Sequence, residues 1–472
     1  MFQSGTIGYI ESLDIGDWLL FLLYFIVILG VSWIYALQKR KKDDRYRWFF
    51  KALMLKMVAS IGFSLVYVYV YKGGDTVTYF ENARANVNLL ASEPLDFFSV
   101  YFSPPSPEKY YLYNSDSGYP WYYIYAEAKT GFVVKLITPL VLLSMTSFLG
   151  SNLLMAFFTF WGMWRFFLLI SELYPKYTKG FFIGIFLLPS VAFWGSGMLK
   201  DSITLSAACW FLDLFYRVLI QRKFSFKKIL QLLISVYLIL TIKPYIIIAL
   251  LPGALIWFFH EPISRIQKAL FRYFLIPFVF FFSLIGGYFI MTTLFDWKIE
   301  DLLKEAYIKY DDLKRDYYQG NSFDIGFKEP TIEEALRVAP AAITAGLFRP
   351  FLWESRNVVM LFSGVENFVV LFLFIYLLLR TRITGMIRAI NDHPFVFFAF
   401  TYSVLFALLV GLSTSNFGAL VRFKIAFLPF FYCALVILNG ETKRKRIEIV
   451  KRKSPGKSYV QFQNSGVSSR AI

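Results

Sequence analysis

Histidine and cysteine are nearly absent, with two of each in 472 residues. Cys209 and Cys433 both sit inside apolar runs, which excludes a disulfide framework and a Cys-x-x-Cys metal site. His260 and His393 are too few and too far apart to build a zinc centre. Also missing is any long polar stretch able to fold as a separate soluble domain, and any nucleic-acid motif beside the basic clusters, so nucleic acid is not an expected partner. Acidic residues are the minority charge, 32 Asp and Glu against 49 Lys and Arg, a formal net charge of +17.

What is present in excess is apolar and aromatic: 57% of residues are hydrophobic and 20% are Phe, Trp or Tyr. That is above the apolar share of soluble domains. The expected fold is all-α, a polytopic transmembrane helical bundle, with residues 1–453 as one integral membrane domain and a polar, small-residue tail at 454–472 predicted to be disordered. A span needs about 20 apolar residues, and runs near 17–38, 50–71, 150–171, 180–197, 203–220, 228–242, 245–259, 271–294, 357–379, 394–412 and 423–439 give about eleven. The first run is too long for the core of a cleaved signal peptide and is read as a retained span.

Charge sets the expected orientation. Segments 39–51 (KRKKDDRYRWFFK), 221–228, 260–272, 380–388 (RTRITGMIR) and 442–453 are basic, and alternating the spans puts them all on one side, which the positive-inside rule makes cytoplasmic. The N-terminus is then outside and the C-terminus cytoplasmic. This parity requires that GFVVKLITPLVLLSMTSFLG (131–150), interrupted by Lys135 and Pro139, does not cross but lies at the interface or re-enters.

Two long segments, about 72–149 and 295–356, then face outward. In the first, KGGDTVTYFENAR puts Asp75 on a double-glycine turn where the chain leaves the lipid. Tyr and Trp follow at a density suited both to the headgroup layer and to stacking on sugars. Shorter outward turns carry Lys200 and Asp201 (FWGSGMLKDSI), Lys243 (LTIKPYI), Arg349, Glu354 and Arg356 (LFRPFLWESR), and Arg422 and Lys424 (NFGALVRFKIAFLPFF). Ionisable groups at such depth mark functional sites unless they are paired. The bland readings are a helix cap for Asp201-Ser202 and snorkelling for Lys200. Lys243, in a Lys-Pro-Tyr break, and Arg422, an outward cation just inside an apolar run, fit function better. Glu366, inside a span, is expected to hydrogen-bond a neighbouring helix, with Arg165 as a candidate partner.

The order GGDTVTYF, then GYPWYYIYAEAKTGFVVKLITPL, then LLPSVAFWGSGMLKDSI, over residues 50–260, resembles the glycosyltransferase C superfamily. Its bacterial branch related to protein O-mannosyltransferases and lipopolysaccharide core glycosyltransferases is the most similar. The resemblance implies a membrane enzyme that takes a sugar from a polyprenyl-phosphate donor and attaches it to a glycan or protein acceptor at the outer face of the bacterial cytoplasmic membrane. It places Asp75 at the family's first-loop acid and Lys200-Asp201 at its charged pair in a later outer loop. Thr76 stands where a second acid is common, a span precedes the aspartate, and the outer loops lack His. NFGALVRFKIAFLPFF is similar instead to a stretch of O-antigen-type polysaccharide polymerases.

These readings give a catalytic candidate, Asp75, as general base. Glu127 and Asp116 are second choices. Lys200, Lys243, Arg349 and Arg422, with Asp201 beside them, are expected to hold the lipid phosphate and sugar. A divalent cation is a cofactor candidate only if Asp75, Asp201 and Glu354 converge. The rival functions are an O-antigen-type polymerase, a lipid-linked glycan transporter or flippase, and a non-catalytic scaffold.

Overall fold

The computed structural model describes residues 10, 12–264, 269–295, 298–315 and 321–453. The expected disordered tail at 454–472 lies outside the described residues. Among the described residues the fold is all-α, with one isolated bridge between Ser322 and Asn416.

Six helices are long and apolar enough to cross a membrane: Ile15–Arg40, Asp44–Val70, Phe148–Leu173, Lys200–Ile220, Val358–Asp392 and Pro394–Ser413. A seventh candidate is the pair Phe417–Lys424 and Leu428–Lys443, bent by 65°. Of the other four expected spans, 245–259 and 271–294 fall within the continuous helices Tyr245–Ser264 and Ala269–Phe295, of 20 and 27 residues, while 228–242 is short and 180–197 is broken. The short one, Phe226–Ile242, has 17 residues. The stretch expected as one span at 180–197 is three pieces: Thr178–Phe182, a π-helical turn Ile183–Leu187, and Pro189–Trp194. Pro189 explains the break, because it forces Leu188 out of helical conformation (φ −60°, ψ 121°) and donates no backbone hydrogen bond. RTRITGMIR, expected as a loop, is instead helical on both sides of a kink at Arg382, where φ is 58°.

Residues 131–150 divide into the 16-residue helix Ala128–Leu143 and the start of Phe148–Leu173. At 1.5 Å per residue the first reaches about 24 Å, short of a hydrocarbon core of about 30 Å. The chain between them turns through Met145 and Thr146, both at positive φ.

The Ile15–Arg40 helix leaves Leu19, Leu23 and Ile26 exposed, a face that suits lipid. Phe148–Leu173 lies at the centre and buries Phe160, Trp164, Phe166 and Phe167. Phe166 meets Phe430 with ring centroids 4.5 Å apart, and Trp164 stacks on Phe167 at 5.1 Å. Lipid tails are as apolar as these rings, so close packing rather than escape from water holds the helices together. The same logic explains Ile332–Phe348, expected as outer loop. Gly346 lies against the Ala407 backbone and Gly411 against that of Ala342, so small residues let this helix press onto Pro394–Ser413.

The basic loops gather at one end. Arg45 and Arg217 share Glu172, and Tyr177 donates to Glu441. A cavity at the same end is lined by Tyr174, Arg222, His260 and Pro394. Asp75, Lys200, Lys243 and Arg422 lie at the opposite ends of the same helices.

Candidate active site at the Asp75 end

The double glycine has a local cause. The span ends in a π-helical turn, Val66–Val70, and the chain reverses through Lys72, Gly73 and Gly74 at φ 50°, 141° and 102°. Gly74 is also pressed against Tyr67, where a Cβ would sit 3.1 Å from the ring. The reversal launches the helix Asp75–Ser92 with Asp75 in its first turn, where a carboxylate is favoured by the unpaired N–H groups and the helix dipole. Asp201 occupies the first turn of Lys200–Phe215 in the same way.

Four distant segments meet here. Asp75 Oδ2 lies 2.7 Å from Arg422 Nη1, and Arg422 Nε lies 3.1 Å from Asp201 Oδ2. Lys243 Nζ donates to Asp201 Oδ1. The result is a chain of alternating charge, Asp75, Arg422, Asp201, Lys243. Phe423 closes it from one side, its ring 4.5 Å from Lys243 Nζ and 5.3 Å from the Arg422 guanidinium, a distance at which cations and ring faces attract. Exposure is graded along the chain, from 44% for the Asp75 side chain through 22% for Arg422 to 1% for Asp201. Asp75 is therefore the most accessible member of the chain.

Lys200 joins from the flank. Its Nζ lies 3.6 Å from Glu127 Oε2 and donates to Thr130 Oγ1. Glu127, a second-choice acid, thus belongs to the site. The cations expected to hold the phosphate do not stand alone: Asp75, Asp201 and Glu127 balance Arg422, Lys243 and Lys200.

Arg349 is not brought into this cluster. Its Nε donates to Glu354 Oε1 at 3.0 Å, and its guanidinium lies between Phe323 and Phe417 at 4.6 and 5.1 Å. Among the described residues no ion pair ties Arg349, Glu354 or Asp116 to Asp75. Lys424 is wholly buried and structural, donating to the Leu347 and Arg349 carbonyls and to Asn367 Oδ1, the closing carbonyls of Ile332–Phe348. Glu366 does make an interhelical hydrogen bond, but its partner is the Ser190 backbone N–H at 2.8 Å. Arg165 pairs with Asp213 instead.

The Arg422 guanidinium beside Asp75 holds its carboxyl below the usual aspartate value, against the opposing pull of burial. An aspartate so held is a weak base until Arg422 finds another anion. Asp201 Oδ2 and Arg422 Nε, though 3.1 Å apart, have no hydrogen-bond partner, because their angle is wrong for a bond. Buried polar atoms are rarely left this way, so the cluster has unused capacity facing Arg422. For a metal the geometry is less apt. Asp75 and Asp201 converge on Arg422, Glu354 is engaged elsewhere, and no group of three or more ligating side chains occurs among the described residues.

No family model, curated protein or solved structure matches the chain. The sequence pointed to Asp75, Lys200, Asp201, Lys243 and Arg422, which the structure brings together, but not to Thr130 or Phe423 beside them. Thr130 and Phe423 carried no charge or break to single them out.

Proposed function

We propose that this protein is a membrane glycosyltransferase that moves a sugar from a polyprenyl-phosphate-linked donor to a glycan or protein acceptor at the outer face of a bacterial cytoplasmic membrane. The observation that carries this reading is the Asp75–Arg422–Asp201–Lys243 chain, assembled from four segments and left with unbonded polar atoms at Arg422. The donor's phosphate competes with Asp75 for Arg422, as a charge-assisted bond to phosphate is among the strongest a guanidinium makes. Released from its cation, Asp75 regains basicity and takes the proton of the acceptor hydroxyl as that oxygen attacks the anomeric carbon. The bond from the anomeric carbon to the phosphate oxygen breaks, and the lipid phosphate leaves with the electron pair. Arg422 and Lys200 receive the charge that develops on it. Asp201 and Lys243 fix the guanidinium. A single displacement inverts the anomeric carbon.

Asp75→Asn tests this. Turnover of a polyprenyl-phosphate sugar by purified protein should fall by about 100-fold or more, with donor binding retained and the corresponding glycan lost from cell-surface mass spectra. Full glycan production by the variant would remove the general-base role.

One observation favours a second reading, transport of a lipid-linked glycan. The 65° break between Phe417–Lys424 and Leu428–Lys443, and the Lys243-Pro244 break, place charge at discontinuous helices, as transporters do. Donor movement across proteoliposomes that survives Asp75→Asn would decide for transport.

A further inference from the structure

Beside the charged cluster lies a second cavity, of about 400 Å³, within the range of small-molecule sites. Its walls are carried by the same elements as the cluster. Asn82 and Asn86 come from the Asp75 helix, Phe132 from the helix that supplies Thr130, and Tyr237 from the helix that ends at Lys243; Tyr113 and Tyr125 complete it. Spacings of four, seven and eleven residues put Tyr79, Asn82 and Asn86 on the helix face that carries Asp75.

Resting on the transferase reading, we propose that this cavity is the acceptor subsite and holds a sugar ring. Two observations point to a hydroxylated ring rather than an acyl chain. First, the Asn82 side chain is 2% exposed and its Oδ1 has no hydrogen-bond partner, although its Nδ2 donates to the Thr78 carbonyl at 2.6 Å. A buried acceptor left open loses its bonds to water for nothing unless a ligand hydroxyl fills it. Second, the aromatic walls are fixed in place. Tyr113 donates to Asn86 Oδ1, Asn86 Nδ2 donates to Thr138 at 3.0 Å, and the Tyr125 hydroxyl donates to the Ser106 carbonyl at 3.1 Å. Phe132 and Tyr237 stand edge to face, 5.7 Å apart. Rigid ring faces with a few placed polar groups are what a sugar's alternating C–H and O–H surface requires.

Saturation-transfer NMR on the full chain in nanodiscs tests this without turnover. The probes are octyl-β-glucoside and tetraethylene glycol monooctyl ether, which share a chain and differ in the sugar. In the wild type, saturation should reach the glucose ring protons and exceed that of the shared octyl chain. Asn82→Leu, which removes the open oxygen, should cut the ring signal several-fold. Tyr237→Ala should do the same at a half-exposed position that leaves the core intact, so the test survives if Asn82→Leu fails to fold. Equal saturation of the octyl chains of both probes, unchanged by Tyr237→Ala, would make the cavity a lipid-chain groove and overturn the proposal. Ring saturation in a protein that moves the donor across proteoliposomes, with or without Asp75→Asn, and never turns it over would sink the transferase reading and leave the sugar site standing.

Discussion

Asp201 and Asp213 lie on one helix, about 18 Å apart along its axis, and each side chain is 1% exposed. At the basic end, Asp213 is fully satisfied. Oδ1 accepts from Arg217 Nε at 2.8 Å, Oδ2 from Arg165 Nε at 2.8 Å, and Arg217 continues to Glu172 at 3.0 Å. Its partners come from its own helix and from a neighbouring one, and both reach solvent. At the other end, Asp201 has one hydrogen bond, from Lys243, and faces an Arg422 that it does not properly bond. Equal burial therefore coexists with opposite degrees of satisfaction. A network built to hold helices closes its hydrogen bonds, whereas one poised to receive a ligand leaves some open.

The comparison breaks most sharply at the aspartates themselves. Asp201→Ala leaves Lys243 and Arg422 facing each other with one carboxylate, Asp75, between them and solvent, and removing one partner of a buried pair costs about 3–5 kcal/mol. Asp213→Ala should cost clearly less, because Arg165 is 36% and Arg217 20% exposed and Glu172 remains for Arg217. Thermal unfolding of both variants in one detergent checks this, and equal losses would mean that exposure of the partners does not matter. On activity the order sharpens further. Arg422→Lys keeps the charge but loses the fork that reaches Asp75 and Asp201 together, and turnover should fall by about 100-fold, whereas Arg217→Lys should leave turnover near wild type.

The contrast also shows how much could be read before folding. Apolar runs located all seven candidate spans, because a bilayer demands such runs, and also counted 180–197, which is broken. The charge rule gathered the basic loops correctly, since Arg45, Arg217 and His260 do share an end. Of the cations proposed for the site, Lys200, Lys243 and Arg422 reach it; Arg349 does not, because Glu354 five residues away captures it first. A nearby acid alone does not decide it, since Lys200 has Asp201 as its neighbour and still reaches the site. Whether a cation ends beside its own neighbour or beside an acid 347 positions earlier in the chain, as Arg422 beside Asp75, is set by helix packing. The break at 180–197 was legible from Pro189 but was outweighed by hydropathy, which counts residues without asking what their backbone can do.

A third buried carboxylate extends the series. Glu81, 4% exposed on the Asp75 helix, has a single partner, Arg84, and its Oε1 has none. Burial pushes its carboxyl up to about 7, against the pull of Arg84. With the folded value above the unfolded one, the folded state holds the extra proton. Its contribution to stability is thus complete below about pH 4.5 and is lost as pH rises through 7. Protection of residues 75–92 against hydrogen exchange, corrected for the intrinsic rate, should fall between pH 5.5 and 7.5 by at most about tenfold per pH unit, the limit for one proton. Glu81→Gln should flatten the profile. A flat wild-type profile would mean that Glu81 stays ionised beside Arg84.

The smallest effect concerns the turn that delivers Asp75 to its partners. Gly62 and Gly74 lie twelve residues apart on either side of the span's end, and the same substitution should act on them with opposite sign. At Gly62 the backbone is helical and a Cβ would meet nothing within 4 Å, so Gly62→Ala should stabilise by about 0.5–1 kcal/mol through reduced freedom of the unfolded chain. At Gly74, φ is 102° and the Tyr67 ring stands 3.1 Å from the missing Cβ, so Gly74→Ala should destabilise by about 1 kcal/mol. The ring can yield only by moving away from the turn, and Asp75 moves with that turn. Turnover in Gly74→Ala should therefore fall further than its melting temperature implies. A Gly74→Ala protein as active and as stable as wild type would show that the double glycine does not set the position of the carboxylate.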